Sequence, residues 1–562
     1  MKEHDLVIRG GTIVDGSGVP RYKADVAIKH GRVAAISGRI RAGAAREIDA
    51  SGCIVAPGAI DLHTHYDAQL NWDPYCTLSG WFGVTSLTIG QCGFGFAPTR
   101  PEDRDLNMRM MNRIEAIPLE SMRLGMRWDW ETFPQYLDSL DRQGLGVNVG
   151  VSFPFSPARG YVLGMIPARE RTSVTDKELN QLKTLFKEAM EAGAFGFTTD
   201  MNTGDRPEDG SWLPSHVASN EEYMALAEVL SEFGVGHIGW TIANSGGLPP
   251  EKSASKQKEL MTELMRTSGR PLHVLLDQES ARDKWVADSR AEGLPLLTQE
   301  LVMEIQSEFR LSEYNLFDPL PAWVDPLVGT VEERSVKLRD PNVRAAMRKD
   351  AEERALLRTD WSRLTVVDTV HDRNQPFEGM TVEEIARSQN KHPLDAFLDL
   401  ALDEGLETEF QHPVDPAPID ENIANPFGHI SVSDGGAHTR YLTTSTWPVE
   451  FLAHWVRDKE IVSLEQAHYK ISTLPAWFAD FKDRGMLRVG AWADIMVYDQ
   501  AQLGFLYDKL LHVNDFPGGE RRVIQKPTGL RYTLVNGSIT FEGNDCTQSL
   551  PGKLLRSNDM VG

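Results

Sequence analysis

The strongest constraint on this chain is an alternation. Between about residues 55 and 485, short runs of β-branched and small residues trade places with longer stretches whose apolar residues recur every three or four positions. The strand-like runs read GVTSLTIGQC, GVNVGVSF, AFGFTTDM, GVGHIGWTI, PLHVLLDQ, LTVVDTV and HISVSDGG. The helical stretches include DKELNQLKTLFKEAMEAGA and SNEEYMALAEVLSEFG. Adding the run that ends in APGAIDLHTHYDAQ gives about eight βα units, the number in a TIM-type barrel. The expected fold is therefore α/β, a (β/α)8 barrel over 58–484.

The two ends of the chain read differently. DLVIRGGTIVDG and ADVAIKHGRVAAISG near the start, and ADIMVYD and GLRYTLVNGSITFEG near the finish, are strands broken by glycine turns and an Asn-Gly hairpin signal. They predict a small β-sandwich domain assembled from residues 1–57 and 485–550. The stretch 280–360 is charged and helical, contains FDPLPAWVDPL, and reads as a helical insertion on the barrel.

Charge and cysteine content narrow the function. A net charge of −23 disfavours nucleic acid and anionic membrane surfaces, which need a basic footprint. The four cysteines form no disulfide framework. There is no apolar run of the ~18 residues that suggest a membrane span, and MKEHDLVIRGG lacks the pattern of a signal peptide. A cytoplasmic enzyme acting on a small molecule, assembled as a homo-oligomer, is the expectation.

Chemistry concentrates at strand ends. Side chains at i and i+2 of a strand point the same way, so His63 and His65 share a face where barrel active sites lie. Imidazole is a good ligand for zinc and similar metals. Cys92 follows the next strand and precedes a glycine-rich turn, and a thiolate also binds zinc. Asp434 follows the last strand candidate and precedes two glycines that permit a close approach of substrate. A carboxylate there can ligate metal and shuttle a proton. Asp200 ends the fourth strand candidate, and His216 lies in the loop after it. The methionine-rich NMRMMNRIE (107–115) reads as a packed helix rather than part of a site.

Taken together, LVIRGGTIVDGSG, PGAIDLHTHYDAQ, GVTSLTIGQCGFG, GAFGFTTD, VSDGGAH, DRGMLRVGAWADIMVYD and LVNGSITFEG resemble the amidohydrolase superfamily, and within it the D-aminoacylase branch of N-acyl-D-amino-acid deacylases. The resemblance implies one or two Zn²⁺ ions and a metal-activated water that attacks an amide carbonyl. It implies His63, His65 and Cys92 as ligands, and Asp434 as general base and acid and as a further ligand. Arg440, beside His438, stands where the family holds a substrate carboxylate, and His371, after the seventh strand candidate, is a further substrate contact. The family also draws histidine ligands from the ends of strands five and six. Here His237 and His273 lie near the strand starts, with Trp240 or Thr241 and Leu276-Asp277 near the ends, so two site compositions stay open. The expected reaction is hydrolysis of an amide C–N bond in an N-acylated amino acid. The alternatives are a cyclic amide, a carbamate or an aryl amide, and, outside enzymology, a non-catalytic binding or scaffold barrel.

Overall fold

The computed structural model describes residues 3–242, 248–276, 282–303, 308–313, 316–354, 359–412, 419–507 and 510–560. Two parallel sheets form the middle of the molecule. One has three strands, Ala59–Asp61, Val84–Ile89 and Asn148–Val151. The other has six, in the order Phe153–Pro154, Gly196–Asp200, His237–Thr241, Leu272–Leu275, Leu296–Gln299 and Gly428–His429. Nearly every residue of these strands is buried, as expected of parallel strands covered on both faces. The sheets meet twice. Ser152 N–H donates to Ile89 C=O at 3.0 Å, and Leu62 N–H donates to Ser431 C=O at 3.1 Å.

The helices between the strands carry their own start and stop signals. Asp176–Ala192 opens on a capping box of Thr175 and Glu178 and closes on Gly193 in the left-handed region (φ 111°). Asn220–Phe233 repeats the device with Ser219, Glu222 and Gly234. Each buries one apolar stripe, for example Leu182, Phe186, Ala189 and Met190, against the parallel strands. Among the described residues, no helix is long and apolar enough to cross a membrane.

Strands from both chain ends share one nine-stranded sheet, in which Ile495–Tyr498 lies between Ile54–Pro57 and Leu530–Val535. Its first strand, His4–Ile13, changes neighbour at an irregularity between Ile8 and Gly11. Its first half pairs with Ala44–Asp49, and Thr12 and Ile13 pair with Ile54 and Val55.

Two sequence expectations need correction. LTVVDTV does not join the parallel strands. Thr365–Asp368 pairs with Glu409–Gln411, which also pairs with Glu308–Phe309, in a separate three-stranded antiparallel sheet. The seventh parallel strand is instead Leu296–Gln299, only four residues long and embedded in charged sequence. The insertion is displaced accordingly. Its apolar core draws mainly on residues from Phe309 to Phe410, with Phe317, Trp323 and Phe397 at the centre. Residues 282–300 largely belong with the parallel sheet, through Lys284–Ala291 and Leu296–Gln299.

Candidate metal centre

The HTH and SDGG segments are laced together by their backbones. Asp434 N–H donates to His63 C=O at 3.0 Å, and His65 N–H donates to Gly435 C=O at 2.6 Å. Gly436 sits at φ 91°, where an added Cβ would stand 2.6 Å from the His65 carbonyl oxygen, so the turn needs glycine both for its conformation and for space. The lacing carries Asp434 over the two histidines. His65 Nε2 lies 3.2 Å from Asp434 Oδ1, and His63 Nε2 lies 3.6 Å from the same oxygen.

Cys92 is brought in by a second turn. Gly90, Cys92 and Gly93 all adopt positive φ (77°, 53° and 67°), which folds the chain back over the strand ends. The Cys92 sulfur then stands 3.2 Å from His63 Nε2 and 3.3 Å from the Thr241 hydroxyl. The donor atoms of His63, His65 and Cys92 lie within 4.8 Å of one another.

Second partners fix the histidines. His63 Nδ1 meets the Gln299 amide oxygen at 2.6 Å. That oxygen accepts, so Nδ1 carries the proton and Nε2 keeps its lone pair for a ligand. Both ring nitrogens of His65 are buried without hydrogen-bond geometry, and Nε2 faces Asp434 Oδ1 at 3.2 Å and Glu115 Oε1 at 3.6 Å. A cation shared by these groups would satisfy both the imidazole and the carboxylates. The donor set of two imidazoles, one thiol and one carboxylate suits zinc. The residues therefore fit the metal that the sequence predicts.

The electrostatics agree. Burial lowers His63, which keeps its imidazole neutral as a ligand must be, and pushes the Cys92 thiol up to about 12, a shift that a cation at this point would reverse. Burial opposes ionisation of Asp434 and His65 as well, but it is outweighed. His438 and His65 hold Asp434 well below the usual carboxylate range, and Glu115 and Asp434 raise His65 well above its ordinary value.

Not every candidate from the sequence arrives. His438 does: its Nε2 lies 3.5 Å from Asp434 Oδ2. Asp200 is fully buried with His216 Nε2 3.4 Å from one oxygen, and burial raises its pKa well above the ordinary value. Arg440 turns aside, pairing with Glu313 Oε2 at 3.0 Å and Glu520 Oε2 at 2.9 Å. His371 belongs to the small antiparallel appendage, where its N–H donates to Glu404. His237 and His273 stay at the opposite ends of their strands. Each packs against Phe478 with ring centroids 4.6 Å apart, His237 tilted and His273 stacked, and His273 Nδ1 lies 3.3 Å from His429 Nε2. Thr241, not a histidine, ends strand five beside the sulfur, and Asp277 lies outside the described residues.

One residue enters from a segment read only as packing. Glu115, the last residue of the helix Arg104–Glu115, is buried, with Oε1 3.6 Å from His65 Nε2 and Oε2 3.5 Å from His438 Nε2. The signal available in the sequence was a lone acid closing an otherwise apolar helix face.

Comparison with known proteins bears on this geometry. Over residues 46–541 the chain matches the model of the amidohydrolase family. It is 26% identical to a D-aminoacylase of Alcaligenes xylosoxydans xylosoxydans over 565 residues, covering 98% of this chain and 97% of that protein. It is 27% identical to an N-acyl-D-glutamate deacylase of the same organism, covering 99% and 97%. Among solved structures, a D-aminoacylase superposes with a TM-score of 0.67 at 21% identity, over 98% of this chain and all of that one. An N-acyl-D-glutamate deacylase from Bordetella bronchiseptica, complexed with zinc and a phosphonate inhibitor, superposes with a TM-score of 0.64 at 21% identity, over 99% and 100%. The fold is accordingly that of amidohydrolases of the TIM-barrel type, and the chain belongs to the amidohydrolase family.

Proposed function

We propose that this chain is a metal-dependent hydrolase that cleaves the C–N bond of a small-molecule amide, with its two parallel sheets acting as the staves of one barrel. The observation that carries the reading is that His63, His65 and Cys92 form one donor cluster and Asp434 stands 3.2 Å from His65, all brought in from three strand ends. Zinc, as one or two ions, is the metal these donors suit. A divalent ion held by these residues would polarise a carbonyl and acidify a water. The side chains supply the rest. Asp434, kept ionised by His65 and His438, takes a proton at its carboxylate and returns it to the departing nitrogen. His438, 3.5 Å from Asp434 Oδ2, fixes which oxygen faces the substrate. Gln299 keeps His63 in one tautomer. Asp434→Asn is expected to lower kcat by about 10²–10⁴-fold even with zinc supplied in excess, and an Asn variant with near-full turnover would sink the assignment.

The curated relatives act on N-acyl-D-amino acids by name, and that class is the first substrate to test. One observation brings in a second class. Arg440, the residue expected to hold a substrate carboxylate, is already engaged by Glu313 and Glu520. A cyclic amide, a carbamate or an aryl amide, none of which needs a carboxylate partner at Arg440, is therefore the second class to test. Rates on an N-acetyl-D-amino acid, a cyclic imide and an aryl amide, measured side by side, separate the two classes.

A further inference from the structure

We propose that Glu115 is itself a metal ligand, binding an ion together with His65 and Asp434. This rests on reading the site as a metal centre. The donor atoms of His65, Glu115 and Asp434 lie within 4.8 Å of one another, so three protein groups already converge on one small volume. His65 is buried to 1% exposure, and its Nε2 faces Asp434 Oδ1 at 3.2 Å and Glu115 Oε1 at 3.6 Å without hydrogen-bond geometry, so three donor groups face one another across a space that a shared cation would fill.

Glu115 is placed as a ligand needs to be. Its side chain is 4% exposed. Its own carbonyl accepts the His438 N–H at 2.5 Å, which ties the end of its helix to the loop that carries Asp434. Ala116 then turns away at φ 50°, so the helix stops at the carboxylate. The two oxygens have different neighbours, Oε1 toward His65 and Oε2 toward His438. This division suits a ligand whose second oxygen is oriented by an outer partner.

The placement also fills a gap. Strands five and six present Thr241 and Leu275 at their ends, and the histidines they carry lie at or near their starts. A carboxylate from the helix Arg104–Glu115 supplies a hard anionic donor beside His65. The competing account is a purely ionic one, in which protonated His65 and His438 balance Glu115 and Asp434 without any metal. The two accounts differ in what Glu115 does to metal binding.

The test is a zinc titration of chelator-stripped protein, read by competition with a chromogenic chelator and by thermal melting with and without zinc. Wild type, Glu115→Gln and Glu115→Asp are compared. A ligand role predicts that Glu115→Gln loses one equivalent of zinc or binds it at least about tenfold more weakly. It also predicts that the zinc-induced rise in melting temperature shrinks while the metal-free melt holds. If Glu115→Gln does not fold, Glu115→Asp, which keeps the charge but withdraws it by one methylene, must show the same weakening. Zinc affinity and stoichiometry within about twofold of wild type in the folded variants overturn the proposal and leave Glu115 as a partner of His438 alone. If wild type binds no zinc, the metal-centre reading fails as well, so the two failures are distinguishable.

Discussion

His237→Leu puts the corrected role of the middle-strand histidines at risk. The family resemblance makes His237 a metal-ligand candidate, whereas the structure makes it a core residue. It is the first residue of a strand whose last residue, Thr241, touches Cys92. Four residues of strand rise about 13 Å, and a zinc–nitrogen bond is about 2.0–2.1 Å long, so the imidazole does not span the gap. The ring is fully buried, packs at a tilt against Phe478 at 4.6 Å and faces His273 at 5.5 Å. Burial pushes its pKa down to about 3, so leucine replaces a neutral ring with an apolar group of broadly similar size. Neither ring nitrogen has a hydrogen bond that the substitution would break. Volume-conserving apolar exchanges usually cost less than about 1.5 kcal/mol, which in a chain this long moves the melting temperature by only a few degrees. The expected result is a near-normal melt, unchanged zinc per chain by atomic emission, and kcat/KM within a few-fold of wild type. Loss of an equivalent of zinc from a folded His237→Leu protein would refute the register and return this histidine to the metal.

Two further substitutions probe the surroundings of the site. Gln299→Leu removes the acceptor that holds His63 Nδ1–H at 2.6 Å, and zinc affinity should fall about 10–100-fold with the fold intact; unchanged affinity would mean that the contact does not set the tautomer. Glu409 bridges Arg310 Nη2 at 2.7 Å and Arg521 Nη1 at 3.0 Å, joining the antiparallel appendage to the hairpin of Leu511–Phe516 and Glu520–Ile524. Burial would raise its pKa, but Arg521 and Arg310 outweigh burial and hold it down to about 2, against an ordinary 4.5. A depressed pKa stabilises the fold above the ordinary value, and that stability is lost as pH falls from about 4.5 toward 2. Glu409→Gln should therefore destabilise at neutral pH by about 3–5 kcal/mol and flatten the acid limb of a stability–pH curve; an acid limb unchanged from wild type would remove Glu409 from that role.

How much of this molecule could be read from its sequence follows from how local each instruction is. The HTH segment, the turn around Cys92 and the SDGG loop are short motifs at strand ends, and period-two and period-3.6 patterns place strand ends well enough to align them. The eight-unit alternation survived even though one strand was misassigned, because LTVVDTV and LPLLTQE carry nearly the same apolar signal and only pairing partners tell them apart. What stayed hidden depends on contacts across long sequence distances. Arg440 looks free in the sequence, and its carboxylate partners come from the appendage and from the C-terminal hairpin. Glu115 looks like the end of a packing helix until the loop of His438 closes over it.

The backbone around the site was equally illegible, and it explains why these particular residues meet. Cys92, Ala116, Asp434 and His438 all adopt left-handed φ, at 53°, 50°, 55° and 53°, and none of them is glycine. Such residues are uncommon, and in sparsely populated regions each costs of order 1–3 kcal/mol unless the surroundings hold it there. Three separate segments accept that cost within one cluster, and each uses it to turn a functional group or its neighbour inward: the Cys92 sulfur, the Glu115 carboxylate just before Ala116, and the Asp434–His438 pair. Aspartate and histidine are among the side chains that tolerate this region best, so at Asp434 and His438 chemistry and backbone preference agree. Cysteine is not, so at Cys92 side-chain chemistry outweighed local backbone preference, as expected of a site whose donors must converge before any substrate arrives.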